Sequence, residues 1–451
     1  MSIGIPEILK YLMKRIKIST SVSCISLYFC GLFFLAAQQT PADKQSVPIA
    51  IENVTAHIGN GDVVQEATIV FTDGKITAVG KNVTVPTGAT YIDGKGQHAY
   101  PGLIAPNTTL GLVEIDAIRP SNDIREIGSY NPHIRSIIAY NAESKLVETS
   151  RPSGVLIAQT TPRSGTISGS SSVVQLDAWN WEDAVIKADD GIHINWPQYF
   201  SYGDWWLNED RLLSRNKKYT EQVQALLRFV KEAKAYTQEP DEEVNLPYRA
   251  IKGIFDGNQK LFIHVAPEKA IRDVLQFVKE EALSNVVLTN AYEAFRVIPE
   301  LKEMNLPVLT NRVHSLPWYE DDDYDQSYKN AVLLYKAGIL VGLQNSGSME
   351  RANVRNLPFQ AGTTAAHGLT PEEALQLITL NNAKILGIDN QLGTLEVGKD
   401  ATLFLSQGDA LDMRTNQLTQ AYIQGRKLNL DSHHTNLWKR YSEKFKNSGK
   451  P

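Results

Sequence analysis

The chain has 451 residues, 42% hydrophobic and 21% charged, which suits one large domain with an appendage or two domains. A formal net charge of -5 offers no basic excess for a polyanion, which argues against nucleic acid as a partner. The two cysteines, Cys24 and Cys30, both fall near the N-terminus, so the rest of the chain must be held by its core rather than by disulfides.

The N-terminus carries Lys10, Lys14, Arg15 and Lys17, then an apolar stretch from Ile25 to Ala37, then the polar run Gln38-Gln39-Thr40-Pro41. This reads as a signal peptide over residues 1–37, which predicts an exported and periplasmic protein; Met13 is an alternative start. The competing reading is a membrane anchor, although an apolar core of about a dozen residues is short for a span. Residues 48–100 read as short strands. Ala67–Phe71 and Lys75–Val79 flank Thr72-Asp73-Gly74, and Asp-Gly between β-type runs is a hairpin signal.

From residue 101 to about 390 the pattern changes to strands alternating with helical segments, the cadence of parallel βαβ units. Four late strands stand out: Leu261–Val265, Val286–Asn290, Pro307–Asn311 and Leu340–Asn345. Between the first two, Glu268–Glu281 places Ala270, Ile271, Val274, Leu275 and Val278 at helical spacing. Ala291–Asn305 is a second helical segment. Residues 201–245 interrupt the cadence with Trp205, Trp206 and a helix predicted over Thr220–Ala235. Residues 391–430 return to short strands, and the polar tail 431–451 contains a predicted helix over Leu437–Phe445.

Several motifs carry a resemblance. Asp73-Gly74-Lys75-Ile76, Pro101-Gly102-Leu103-Ile104, Gly368–Leu375, Asn382–Gly387 and Leu392–Ala401 together resemble the amidohydrolase superfamily, its imidazolonepropionase-like branch in particular. The resemblance covers nearly all of the chain after the leader. It implies a (β/α)8 TIM barrel with a composite β-sandwich built from the N- and C-terminal segments. It also implies metal-dependent hydrolysis of C–N bonds, with ligands at the C-terminal ends of the barrel strands: a His-x-His pair after strand 1, histidines after strands 5 and 6, and an aspartate after strand 8.

Carried onto this chain, the first pair falls on Asn107 and Thr109, strand 5 keeps His264, strand 6 offers Asn290, and strand 8 offers Asn345. Amide and hydroxyl oxygens are weak neutral donors for zinc, and one histidine does not make the usual set of three protein ligands. An amide also lacks a usable pKa for the base that activates a metal-bound water. The expectation is therefore a degenerate metal centre without zinc. Asn107, Thr109, Asn290, Asn311 and Asn345 would line an uncharged barrel-mouth pocket suited to a small neutral polar ligand, though asparagine also simply tolerates strand-end turns.

His264 is open to three readings: relic, structural residue or general base. A non-standard site could join it to His314 and the acids Glu320 to Asp323, whereas a charged loop is more often only solvated. His133, His193 and His367 lack telling neighbours and read as structural. The serine-rich run Ser164–Ser172 reads as a flexible loop, without the lysine of a phosphate-binding loop. The tryptophans Trp179, Trp181, Trp196, Trp205 and Trp206 read as packing of the insertion against the barrel. The expected role is a non-catalytic ligand-binding protein or the partner subunit of an intact amidohydrolase paralogue or of itself. The alternative is an active C–N bond hydrolase built around His264.

Overall fold

The computed structural model describes residues 40–201, 214–238 and 244–447. The leader with Cys24 and Cys30, and the pair Trp205 and Trp206, lie outside the described residues. Two eight-stranded sheets organise the rest.

The first sheet starts with β1 (Ile49–His57), β2 (Val63–Thr72), β3 (Lys75–Gly80), β4 (Thr90–Asp93) and β5 (His98–Pro101). The Asp73-Gly74 turn closes the β2–β3 hairpin, both residues having the positive φ that such turns need (49° and 77°). The C-terminal strands Leu403–Ser406, Leu418–Ile423 and Arg426–Lys427 add to the same sheet, because Leu403–Ser406 pairs antiparallel with β5. Ile51, Ile69, Phe71, Leu403, Leu405 and Tyr422 form its buried cluster. Sequence segments about 300 residues apart thus share one sheet and one core, so neither can bury its apolar face without the other.

The second sheet is the barrel wall: β6 (Leu103–Thr108), β7 (Val155–Thr160), β8 (Ile167–Gln175), β9 (Val185–Asn195), β10 (Lys260–His264), β11 (Val286–Thr289), β12 (Val308–Leu309) and β13 (Val341–Gly342), hydrogen-bonded in chain order. It departs from an all-parallel barrel at one place. β8 pairs antiparallel with both β7 and β9. This corrects the reading of Ser164–Ser172 as a flexible loop: most of that run belongs to β8, all nine of whose residues are buried. Small side chains let β8 sit inside the wall, where Ser170 and Ser171 donate to Asp189 and Asp190. At Gly169 (φ 131°) a Cβ would lie 2.4 Å from the Ile134 carbonyl oxygen, which leaves room only for glycine.

The wall closes without a direct β13–β6 ladder. Leu343 N–H donates to the Leu377 carbonyl and Ile104 N–H to the Ile378 carbonyl, at 3.1 and 2.9 Å. The buried Asn382 Nδ2 then donates to both the Ile104 and Leu343 carbonyls, at 2.8 and 3.0 Å. Outside the wall, the helix α1 (Glu268–Glu280) buries Ala270, Ile271, Val274, Leu275 and Val278, the face read from spacing. The expected helix Ala291–Asn305 is shorter, a 3-10 turn over Ala294–Val297 followed by Ile298–Glu303, because Pro299 is accommodated only in a helix's first turn. The insertion helix spans Tyr219–Gln238, and the tail helix His433–Asn447. Among the described residues no helix is long and apolar enough to cross a membrane.

Candidate functional site at the barrel mouth

Side chains two apart on a strand point the same way, so the barrel interior is layered. Ile104, Ile157, Val173, Phe262, Val287 and Leu309 belong to one apolar layer, sealed by Ile385 and Leu386. Two residues along from Ile157, Val173 and Phe262 come Gln159, Ser171 and His264. With His193 from β9, whose ring stacks on Phe262 at 4.7 Å, they make a polar layer directly on the apolar one. Above it opens a cavity of about 870 Å³, whose wall includes Thr109, Arg163, Trp196, His264, Asn290 and Asn311.

The five pocket candidates are not equivalent. Thr109, Asn290 and Asn311 line the cavity. Asn107 and Asn345 do not; both are buried, at 0% and 4% exposure. Asn345 donates to the Glu350 carbonyl at 3.2 Å and accepts from Gln360. Asn107 has a positive φ of 49° that turns the chain at the end of β6, and all its polar atoms are engaged. Its N–H donates to Gln159 Oε1 (2.9 Å), its Nδ2 to Gln344 Oε1 (2.5 Å), and both its oxygens accept from Arg163 at 2.7 Å. Arg163 in turn makes a double contact with the carboxylate of Glu350, whose side chain is 8% exposed.

His264 and His314 are not brought together. His314 bonds Thr363 Oγ1 at 2.7 Å and is absent from the cavity wall. Asp322 accepts from Tyr292 Oη and from the Trp318 and Tyr319 N–H groups, and Asp323 pairs with Lys329. The non-standard His264–His314–acid site is thereby corrected: His314 is held by Thr363, and Asp322 and Asp323 are engaged elsewhere. The tryptophans do not act as one group either. Trp196 joins the insertion helix through Tyr219 Oη at 3.0 Å, while Trp179 is 64% exposed.

His264 instead meets His193, which sequence reasoning left as structural. His264 Nε2 and His193 Nδ1 are 2.9 Å apart, and His193 Nε2 lies 2.9 Å from Ser171 Oγ. Ser171 Oγ donates to Asp190 Oδ1 at 2.7 Å, and Gln159 Nε2 to Asp190 Oδ2 at 2.8 Å. Asn290 Nδ2 faces His264 Nδ1 at 3.3 Å, and Gln344 Nε2 donates to Asn290 Oδ1 at 2.5 Å. Burial, with the positive charge of Arg163 as a lesser cause, holds His264 down to about 3; burial, His264 and Arg163 push His193 well below the usual histidine range. Burial raises Asp190 to about 6 against its two side-chain donors and the charges of Lys187 and Lys260. Both rings are therefore neutral at pH 7. The alternation of β9 and β10 could have flagged His193 as a lumen residue; Arg163, in the turn after β7, carries no periodic signal at all.

The zinc of the family set does not fit these residues. Among the described residues no three His, Cys, Asp or Glu side chains converge to hold a metal ion. More decisively, the Asn107 oxygens already accept from a guanidinium, which puts a fixed positive charge at the strand-1 position.

Residues 328–433 match the family model described as Amidohydrolase family. A stretch of 37 residues is 62% identical to the imidazolonepropionase of Shewanella frigidimarina (strain NCIMB 400), covering 8% of this chain and 9% of that protein. The fold is similar to the crystal structure of an amidohydrolase from Thermotoga maritima MSB8, with a TM-score of 0.74 at 20% identity over 84% of this chain and 99% of that one. The chain thus has the amidohydrolase fold and carries a segment, residues 328–433, that matches the amidohydrolase family. Phenylurea hydrolase B shares the amidohydrolase fold more distantly, with a TM-score of 0.53 at 14% identity over 85% of this chain and 97% of that one. The amidohydrolase family match covers β13 and the segment that closes the barrel, and ends where the C-terminal helix begins.

Proposed function

We propose that this chain is a metal-free, exported member of the amidohydrolase superfamily whose barrel mouth binds a small polar ligand without hydrolysing it. The observation that carries the reading is the Arg163–Asn107 contact. An arginine that cannot lose its proton stands beside the strand-1 position, and Glu350 neutralises it from the other side. The cavity's size suits a small organic molecule, and its wall mixes aromatic side chains with the amides Asn290 and Asn311. Action beside an intact amidohydrolase paralogue or as a homo-oligomer belongs to the same proposal.

A second reading keeps catalysis. It is favoured by His264, which opens on the cavity and is backed by a hydrogen-bonded chain, an arrangement suited to metal-independent C–N bond hydrolysis. Metal analysis combined with a turnover screen separates the two. Purified protein dialysed against zinc is expected to keep less than a tenth of an equivalent and to leave cyclic amides and ureas intact. One zinc per chain, lost in His264→Ala, would sink the first reading; metal-free turnover lost in the same variant would establish the second.

A further inference from the structure

The tail helix His433–Asn447 is fixed to the fold at its first turn. The His433 N–H donates to Glu148 Oε1 of the short helix Lys145–Ser150 at 2.8 Å, and Ser432 Oγ accepts from the Thr435 N–H at 3.2 Å. Beyond that turn the helix exposes three large rings: Trp438, Tyr441 and Phe445, 69%, 50% and 56% accessible. Their spacing of three and four residues puts them on one stripe along the helix. Aromatic rings gain much from leaving water, so three in a row that the described residues leave accessible mark a surface for something else to cover.

The charges of the helix say what covers it. At about 100° per residue, Lys439 and Lys446 fall on one side of the stripe, and Arg440 and Lys444 on the other. Glu443, the one acid of the helix, falls on the face opposite the rings. The Arg440 guanidinium lies 5.9 Å from the centre of the Tyr441 ring and the Lys444 ammonium 5.8 Å from that of Phe445, which sets cations at the border of the aromatic stripe. Lys439 is already paired with Asp431, so Arg440, Lys444 and Lys446 are the cations left to meet an anion. Four cations against one acid make this helix positive on a chain whose net charge is -5.

We propose that the tail helix is a peripheral membrane-binding element, which lies along a bilayer bearing anionic phospholipid headgroups. The Trp438–Tyr441–Phe445 stripe sits at the level where headgroups meet acyl chains, where amphipathic rings are favoured. Arg440, Lys444 and Lys446 reach the phosphates on either side of it, and Glu443 points away from them. A second copy of this helix is a poor occupant. Two stripes laid face to face bring rows of lysine and arginine together while both acids point outward, and such like-charge contacts are costly. One short interfacial helix gives a reversible attachment, which holds the barrel beside a membrane without inserting it.

Tryptophan fluorescence of the full chain tests this, with vesicles whose acyl chains carry bromine as a contact quencher. On vesicles of equal parts phosphatidylcholine and phosphatidylglycerol, the wild-type emission is expected to fall further than that of Trp438→Phe; the difference is the Trp438 signal. Vesicles of phosphatidylcholine alone should give no such difference. Lys444→Gln/Lys446→Gln should need roughly twenty-fold more mixed lipid for the same signal, about fivefold for each cation removed. Equal quenching of the wild type and Trp438→Phe on mixed vesicles overturns the proposal, as does an equal Trp438 signal on phosphatidylcholine alone. So does an unchanged lipid requirement in the lysine variant. Lipid-free self-association that Tyr441→Ser abolishes, without quenching, assigns the stripe to a second copy instead. The difference reads Trp438 alone, so any binding through another part of the chain does not imitate it. The cavity takes no part in these measurements, so the ligand-binding reading stands or falls separately.

Discussion

Arg163 donates to the Asn107 side-chain oxygen and to the Asn107 backbone carbonyl, each at 2.7 Å, and so puts a covalently supplied cation at the end of β6. Its second partner, Glu350, lies 187 residues later at the start of the short helix Glu350–Asn353 and is buried. The pair ties the turn after β7 to the helix that follows β13.

Breaking this pair from one side leaves a buried charge. Arg163→Met is expected to destabilise the protein by about 3 kcal/mol, and Glu350→Gln by less, since its amide still serves Gly347 N–H. The double variant should lose less than the sum of the two. Urea denaturation of all four proteins measures the coupling; strict additivity contradicts a direct interaction.

Restoring the family histidines should not restore a metal. In Asn107→His/Thr109→His the first new ring meets the Arg163 guanidinium and strips Gln344 of its donor. The expected result is no stoichiometric zinc and a loss of about 2 kcal/mol from the orphaned partners. Elemental analysis and thermal melts check it. A variant that holds one zinc per chain refutes the claim that Arg163 closes the site to cations.

Stability should rise with pH between about 4 and 6. His264, lowered from 6.5 to about 3, and His193 stay neutral in the fold while the unfolded chain protonates them, so their contribution is present above 6.5 and lost as pH falls. Asp190 is raised from 3.8 to about 6, so it works oppositely: its contribution is present below 3.8 and lost as pH rises through 6. His98 and His314, also lowered chiefly by burial, add to the same direction, so the histidines outweigh the one carboxyl and stability rises with pH across that window. Asp190→Asn removes the opposing member and should steepen the slope. Denaturation series on both proteins test this, and a flat profile for the variant contradicts it.

Asn382 is the clasp of the barrel. Asn382→Ala orphans the Ile104 and Leu343 carbonyls, with an expected loss of about 2–3 kcal/mol. Faster hydrogen exchange at Ile104 and Leu343, with the composite sheet unaffected, would localise the effect to the seam.

Much of the architecture was legible before any coordinates. The β2–β3 hairpin follows from Asp73-Gly74, the α1 face from helical spacing, and the strands carrying His264 and Asn290 from short apolar runs between turn signals. β8 was not, because its serines look like a loop until the wall on either side supplies partners for their hydroxyls. The helix expected before β12 was overextended for the opposite reason, since a favourable periodicity yields to a proline that fits only the first turn.

The sequence by itself determined which polar atoms Asn107, Thr109, Asn290 and Asn345 bring to the barrel mouth, because that is a matter of residue identity. It also pointed to the amidohydrolase fold, through motifs that are local in the chain. What those atoms meet was decided only by the tertiary structure. Arg163, His193, Asp190, Gln344 and Glu350 come from separate strands and turns, and none has a meaningful neighbour within its own segment. A hydrogen bond depends on ångström-scale approach and orientation, and only the closed barrel brings a donor-only arginine and an acceptor-only aspartate to opposite ends of one polar layer.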